Sequence, residues 1–324
     1  MARPIRRVLV PIRDVRSAPR SQLRKAATIA RGLNASIELF HVLNEPLAVE
    51  VIRRGRTGVR SRTDVAEGVQ EDAQRQLERL SRARHFAGLE VRTSTTWDFP
   101  THEAIIRRAL SSHAGLIVAA PQPRSLGARI FLTNTDWELM RHSPCPVLLV
   151  KSPRDYKKPA VIAALDPFHA RAKPAGLDGV ILSTASEIAG ALGGELHAFH
   201  AYLPLTGIAP SPMGGPFVVS LPESMEEVHV EQVSAAFAKA IRQAAIPERR
   251  RHVRMGDVRV ELETVVRETR AAIVVMGAVS RSALRRVFIG STAESMLDHL
   301  SCDLLVVKPR DFVTRVPKRT SKAL

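Results

Sequence analysis

With 324 residues, 45% of them apolar, the chain has the composition of soluble folded domains and the length for two of about 150 residues each. No run approaches the roughly 20 apolar residues of a membrane span, the early Val8-Leu9-Val10 stops at Pro11, and two cysteines provide no disulfide scaffold, so a reducing cytoplasm is the expected location. The formal charge of +16 attracts polyanions in general, but the arginines are dispersed and only 4% of residues are aromatic, so specific nucleic-acid recognition and membrane insertion are not expected.

In chain order, residues 8–12 read as a short buried strand and 21–33 as a helix with Leu23, Ala26, Ala27 and Ala30 on one face. Residues 36–42 read as a second strand, which makes a right-handed parallel crossover. A Gly55/Gly58 loop follows, then a long amphipathic helix over 64–87, a strand over 89–95, a helix over 101–112, a strand over 115–119, a helix over 134–142 and a strand over 147–150. This unit is an open α/β sandwich on a five-stranded parallel sheet.

The same order then recurs. Strands are predicted over 161–165, 195–201, 253–255, 273–276 and 304–307, with helices over 177–192, 224–245, 258–270 and 292–299 and a Pro/Gly-rich loop over 204–222. A constant offset of 157 residues carries His142, Cys145 and Lys151 onto His299, Cys302 and Lys308, so the chain is a duplicated unit. The domains are expected at 5–152 and 159–310, with a basic tail at 311–324. Each fifth strand is an apolar edge that needs cover. Pairing the two fifth strands provides it within one polypeptide, and two tethered independent domains is the alternative.

Open parallel sheets bind ligands beyond the carboxyl ends of their strands, where strand order reverses. In the second repeat that region holds Asp166 and the segment from Gly277 to Thr292. Gly277 permits a tight exit from the sheet, while Gly290, Ser291 and Thr292 lead into a helix whose amides and hydroxyls can hold phosphate oxygens; Asp166 can accept from ribose hydroxyls or an adenine amine. Turn formation and helix capping by the same residues is the competing reading. Arg281, Arg285 and Arg286 add attraction for phosphate or simply face solvent. The first repeat loses this equipment: Arg13 stands at the Asp166 position with Asp14 beside it, Pro121 and Pro123 lack amide donors, and Ala120 and Thr133 replace the glycines.

Other polar residues read as structural. Cys145 and Cys302 precede apolar strands, where a thiol packs as a small hydrophobe, although paired His-x-x-Cys segments offer zinc-type ligands. His41 and His200 end the second strands as hydrogen-bonded structural histidines, with ligand contact as the alternative. Trp97-Asp98 marks the exit of strand three, with Thr101 and Glu103 at the following helix start. No nucleophile and base pair has a spacing that commits it to covalent catalysis.

Val161-Ile-Ala-Ala-Leu-Asp166, Ile273-Val-Val-Met-Gly277, Ile289-Gly-Ser-Thr-Ala-Glu294 and Cys302-Asp-Leu-Leu-Val-Val-Lys308 together resemble the universal stress protein family. Tandem duplication, Phe131-Leu-Thr-Asn-Thr-Asp-Trp137 and Asp303-Leu-Leu-Val-Val-Lys-Pro309 resemble its universal stress protein E subgroup. The resemblance implies two tandem Rossmann-like (adenine nucleotide alpha hydrolase-like) domains and a cytoplasmic stress response. Many family members bind ATP through an acidic residue after strand one and a loop G-x-x-G-x9-G-[ST]. Carried over, Asp166 meets the nucleoside and Gly277, Gly290 and Ser291 surround phosphate, with Thr292 adjacent. Ser280 departs from the middle glycine. The implied function is a nonenzymatic, ligand-responsive or interaction module of two paired domains, with a homodimer or a stress-related protein as external partner. ATP or another adenine nucleotide, with weak or no hydrolysis in the second domain, is the alternative.

Overall fold

Val8, Leu9 and Val10 form the fully buried middle of the first strand, β1 (Arg7–Pro11), in a computed structural model that describes residues 4–44, 62–121, 134–167, 176–210, 216–220, 222–278 and 300–318. After β1 come α1 (Arg20–Leu33), β2 (Ser36–Leu43), α2 (Arg62–Ser81), β3 (Val91–Trp97), α3 (Thr101–Ser111), β4 (Leu116–Ala119), α4 (Asn134–His142) and β5 (Val147–Leu149). The second half follows with β6 (Ala160–Ala164), α5 (Leu177–Ala191), β7 (Glu195–Tyr202), β8 (Thr206–Pro210), β9 (Pro216–Ser220), α6 (Glu223–Ile241), β10 (Arg251–Met255), α7 (Val258–Thr269), β11 (Ile273–Gly277) and β12 (Asp303–Val307).

Three local expectations need correction or fall outside this description. The helix read over 64–87 stops at Ser81, because Ala83 is extended and starts a separate 3-10 turn, Arg84–Phe86. The segment read as a loop over 204–222 contains the antiparallel hairpin β8–β9, consistent with the β-prone run Phe217-Val218-Val219. The helix expected over 292–299 lies outside the described residues.

Ten strands join in one sheet, in the order β10-β7-β6-β11-β12-β5-β4-β1-β2-β3. Within this sheet every pairing inside a half is parallel. The halves meet through β12 and β5, which pair antiparallel with Leu304 opposite Leu149, Leu305 opposite Leu148 and Val306 opposite Val147. This fits the expected intramolecular pairing, and burying the apolar edge Leu304-Leu-Val-Val307 removes it from solvent.

The two faces of the sheet carry two hydrophobic layers, and each layer runs through both halves. One joins Val8, Val10 and Leu148 to Val161, Val275, Leu305 and Val307 beneath α1 and α5. The other joins Leu9, Ile117 and Leu149 to Ile162, Val274, Leu304 and Val306 on the opposite face. Side chains alternate between faces along a strand, so helices on both sides demand the continuously apolar sequence seen in β1, β4 and β11. Length alone suggests a core for each half; instead the cores merge at the β5–β12 junction.

Candidate functional site

Within each half the first strand is followed by a neighbour on one side and, later, by the fourth strand on the other. The reversal therefore falls between β1 and β4, and between β6 and β11. In the second half Asp166 lies just past β6 and Gly277 ends β11, on adjacent strands at the same carboxyl edge. The backbone N–H of Asp166 donates to Asp178 Oδ1 at 3.2 Å, which ties the strand exit to the first turn of α5. Asp178 was not among the residues anticipated from sequence. An acidic residue two positions into a helix that follows the loop was the available signal.

Gly277 has a packing reason of its own. A Cβ at this position would sit 2.6 Å from Leu177 Cδ2, and Leu177 is buried at the start of α5. The missing side chain thus lets β11 and α5 approach closely, so the space is taken by the protein itself. Ser280, Gly290, Ser291 and Thr292 lie outside the described residues, as do Arg281, Arg285 and Arg286. The two family positions that are described share an edge and a switch point, which is compatible with a nucleoside approaching Asp166.

The first half presents different chemistry at the same place. A cleft of about 160 Å³ is floored by Ile12, Phe40, Val42 and Ile105 and rimmed by Arg13, Asn44, Thr101 and Asp136. Arg13 Nη2 lies 3.3 Å from Asp136 Oδ1, and the Asp136 carboxylate is almost fully buried in the first turn of α4. Asp14 does not replace Asp166, because it accepts from the Arg16 backbone N–H and the Ser17 hydroxyl. The Ser17 hydrogen bond, above all, holds its carboxyl below the usual aspartate value. Here a guanidinium stands where the second half has a carboxylate, and the cleft is small for a nucleotide.

The histidines that end the second strands serve the main chain. His41 Nδ1 lies 2.7 Å from the Ile12 carbonyl and His200 Nδ1 lies 3.0 Å from the Leu165 carbonyl, each the residue just before the Arg13 or Asp166 position. Both halves thereby fix the exit of the first strand with an imidazole. Cys302 belongs to the buried layer and Cys145 packs against it. Burial pushes their thiols up, to about 12 and about 11 respectively. His142 pairs with Glu138 at 3.1 Å, and His299 lies outside the described residues. Thr101 does not cap α3; its hydroxyl accepts from Asn44 at 2.6 Å, while Asp98 takes two hydrogen bonds from Arg107 and Glu103 takes a third.

Three polar features escaped the sequence reading. Asp303, fully buried at the start of β12, accepts from Lys25 Nζ and the Tyr156 hydroxyl through one oxygen and from the Lys151 and Ser152 backbone amides through the other. This links α1, the linker and the second half; the only trace in the sequence is that Pro146 stands at the Asp303 position of the first repeat. His197 and His252 stack across β7 and β10 with ring nitrogens 3.0 Å apart. Lys308, just past β12, is buried without a hydrogen-bond partner among the described residues, 5.0 Å from the Phe312 ring centre; burial, reinforced by Arg141, drags its amine down to about 7.

The profile of the Universal stress protein family matches residues 4–151 and 178–308. The chain is 33% identical over 240 residues to Universal stress protein E of Salmonella typhi, covering 71% of this chain and 72% of that protein. It is 30% identical, with the same coverage, to Universal stress protein E of Escherichia coli strain K12. In fold it is similar to a universal stress protein from Archaeoglobus fulgidus, with a TM-score of 0.63 at 17% identity over 94% of this chain and 98% of that one. It is also similar to a functionally unknown protein from Pseudomonas aeruginosa PAO1, with a TM-score of 0.68 at 24% identity over 95% and 94%.

Proposed function

Because this chain belongs to the universal stress protein family, we propose that it serves a stress response as a nonenzymatic, ligand-responsive or protein-binding pair of domains acting in the cytoplasm. The observation that carries this reading is the inequality of the two carboxyl edges on one continuous sheet. Arg13 pairs with Asp136 in the first half, whereas the same edge of the second half carries Asp166, whose backbone amide is held by Asp178. A pair of domains fused through β5 and β12 transmits occupancy of one edge to the other half through shared core layers rather than through chemistry at either edge.

Adenine-nucleotide binding by the second half, with weak or no hydrolysis, is the second reading. It is favoured by Asp166 and Gly277 sharing the β6–β11 edge. ATP would supply a phosphoryl group; on this chain's side, Asp166 would accept from the nucleoside and the segment from Gly277 onward would cradle phosphate. Calorimetric titration of ATP into wild type and Gly290→Asp separates the two readings. Loss of binding in the variant supports the nucleotide reading, and binding unaffected by an added carboxylate there removes it. Phosphate release above the level of the Gly290→Asp protein would overturn the nonenzymatic reading. Small molecules that remain bound during gentle purification identify the ligand directly.

A further inference from the structure

A second concavity lies at the opposite end of the sheet from the switch points. It has a volume of about 560 Å³ and is bounded by the linker, the amino ends of β6 and β7, and the carboxyl end of α7. That volume falls within the roughly 300–1,000 Å³ of small-ligand sites. Its charge is unbalanced. Of the three carboxylates on its walls, Asp155 is held by Arg24 at 2.9 Å and Glu195 by Arg250. Lys25 is satisfied by Asp303. Arg154, Lys157, Lys158 and Arg270 remain exposed, with no carboxylate partner among the described residues.

The backbone adds an independent observation. Lys158 (φ 44°) and Arg270 (φ 52°) both hold the left-handed conformation that glycine or asparagine adopts at less cost. Arg270 closes α7 at the position where glycine is common. Two of the five non-glycine residues with positive φ among those described thus lie on this cleft, and both are cations. The helix dipole accounts for a cation at the end of α7, as at Arg270, but not for Lys158 in the linker turn. The floor is apolar, from Pro159, Val266 and Ala271, and Glu263 stands on the wall as an acceptor for hydroxyls.

We propose that this cleft binds a phosphorylated, hydroxyl-bearing small molecule, its phosphates held by Arg154, Lys157, Lys158 and Arg270 and its body laid on the Pro159–Val266 floor. None of the described residues that line the cleft is aromatic, so the phosphate rather than a stacked base carries recognition. Sugar phosphates and nucleotides share this chemistry. The site is separate from the carboxyl edge of Asp166 and Gly277, and the two stand or fall independently.

Calorimetric titration of inorganic pyrophosphate into the full chain, with glucose 6-phosphate and ADP as further arms, tests the proposal. In Lys158→Gly/Arg270→Gly the loss of two charge-assisted contacts is expected to weaken pyrophosphate binding by at least ~10-fold. Because glycine suits both backbones, the melting temperature should stay the same or rise. A charge-matched control at the exposed Arg82 and Arg84, both changed to Gln, is expected to change binding by less than ~3-fold, the scale of screened surface charge. Gly290→Asp should leave pyrophosphate binding at this cleft intact even if it abolishes ATP binding elsewhere. Binding unchanged in the glycine variant, an equal loss in the Arg82/Arg84 control, or displacement of pyrophosphate by a 20-base-pair DNA duplex at lower concentration than by ADP would each overturn the proposal. Preference between the glucose 6-phosphate and ADP arms identifies which body the floor accepts.

Discussion

Four donors converge on the two oxygens of Asp303, and two of them belong to the linker backbone. Removing one member of a buried ion pair typically costs about 3–5 kcal/mol, because the other charge stays desolvated. Asp303→Asn is therefore expected to lower unfolding free energy by about that amount, read from the urea midpoint at unchanged slope. Lys25→Met/Asp303→Leu should lose less than the single variant, as neither charge is then stranded. Equal or larger loss in the double variant would count against the pairing account. Lys308 gives a pH-dependent counterpart. Its folded value of about 7 lies below the ordinary 10.5, so between those limits the unfolded chain holds a proton that the folded chain lacks. Stability then rises with pH across that window, by up to ~1.4 kcal/mol per pH unit. Thermal or urea unfolding from pH 7 to 9 should show this slope in wild type relative to Lys308→Met, in which it vanishes; parallel curves would refute the assignment. The sequence placed both residues in the repeated strand-five segment without showing which charges or donors they meet. Pro146 against Asp303 is one of four differences between residues 144–151 and 301–308, and Lys308 matches Lys151, whose amine donates to the Leu300 carbonyl.

At the scale of elements, the hydrophobic period located nearly every strand and helix within a few residues, because each strand is buried on both faces and each helix on one. The exceptions are local backbone events: the extended Ala83 that ends α2 and the β8–β9 hairpin inside a Pro/Gly-rich segment. What the pattern leaves unstated is which elements touch. On one face α1 of the first half meets α5 of the second so closely that a Cβ on Gly32 would lie 1.8 Å from the Ala191 carbonyl oxygen. A clash with backbone cannot be relieved by a rotamer, so Gly32→Ala should destabilise the chain by about 1–3 kcal/mol. Calorimetric melting checks this, and an unchanged melting temperature would mean that the helices are not held at this distance. The equivalent Gly277→Ala meets a side chain, that of Leu177, and is expected to cost less, because Leu177 can turn. His197 and His252 bind β10 to β7 at the outer edge of the second half. Burial, then His252 and Arg250, depress the His197 imidazole to about 4, so its contribution is present above the ordinary value of 6.5 and is lost as pH falls toward 4. His197→Asn should flatten the acid limb of the stability curve over that range.

For the whole molecule, the merged core layers predict that the halves depend on one another. Expressed apart, residues 1–152 and 153–324 each expose the apolar strand that the other covers, β5 or β12. Mixed, they are expected to form a one-to-one complex by analytical ultracentrifugation, with a higher melting temperature than either alone; two monomers that ignore each other would show that β5 and β12 do not need pairing. The repeat, the α/β order, the buried strands and the family resemblance were all legible in the sequence, because they depend on periodicity and on residue types that recur at fixed spacing. So was the inequality of the two loops, from Arg13 against Asp166 and Ala120 against Gly277. The positions of charges relative to one another were not. The antiparallel register of β5 and β12, the convergence of Lys25, Tyr156 and two amides on Asp303, and the cationic cleft between the linker and α7 each join residues more than a hundred positions apart or on separate elements. The sequence by itself determined the local structure and the duplication, since burial pattern acts over a few residues at a time. Only the tertiary structure decided which partners meet, because the electrostatic and packing energies that select them exist only once the chain has brought distant segments within a few ångströms.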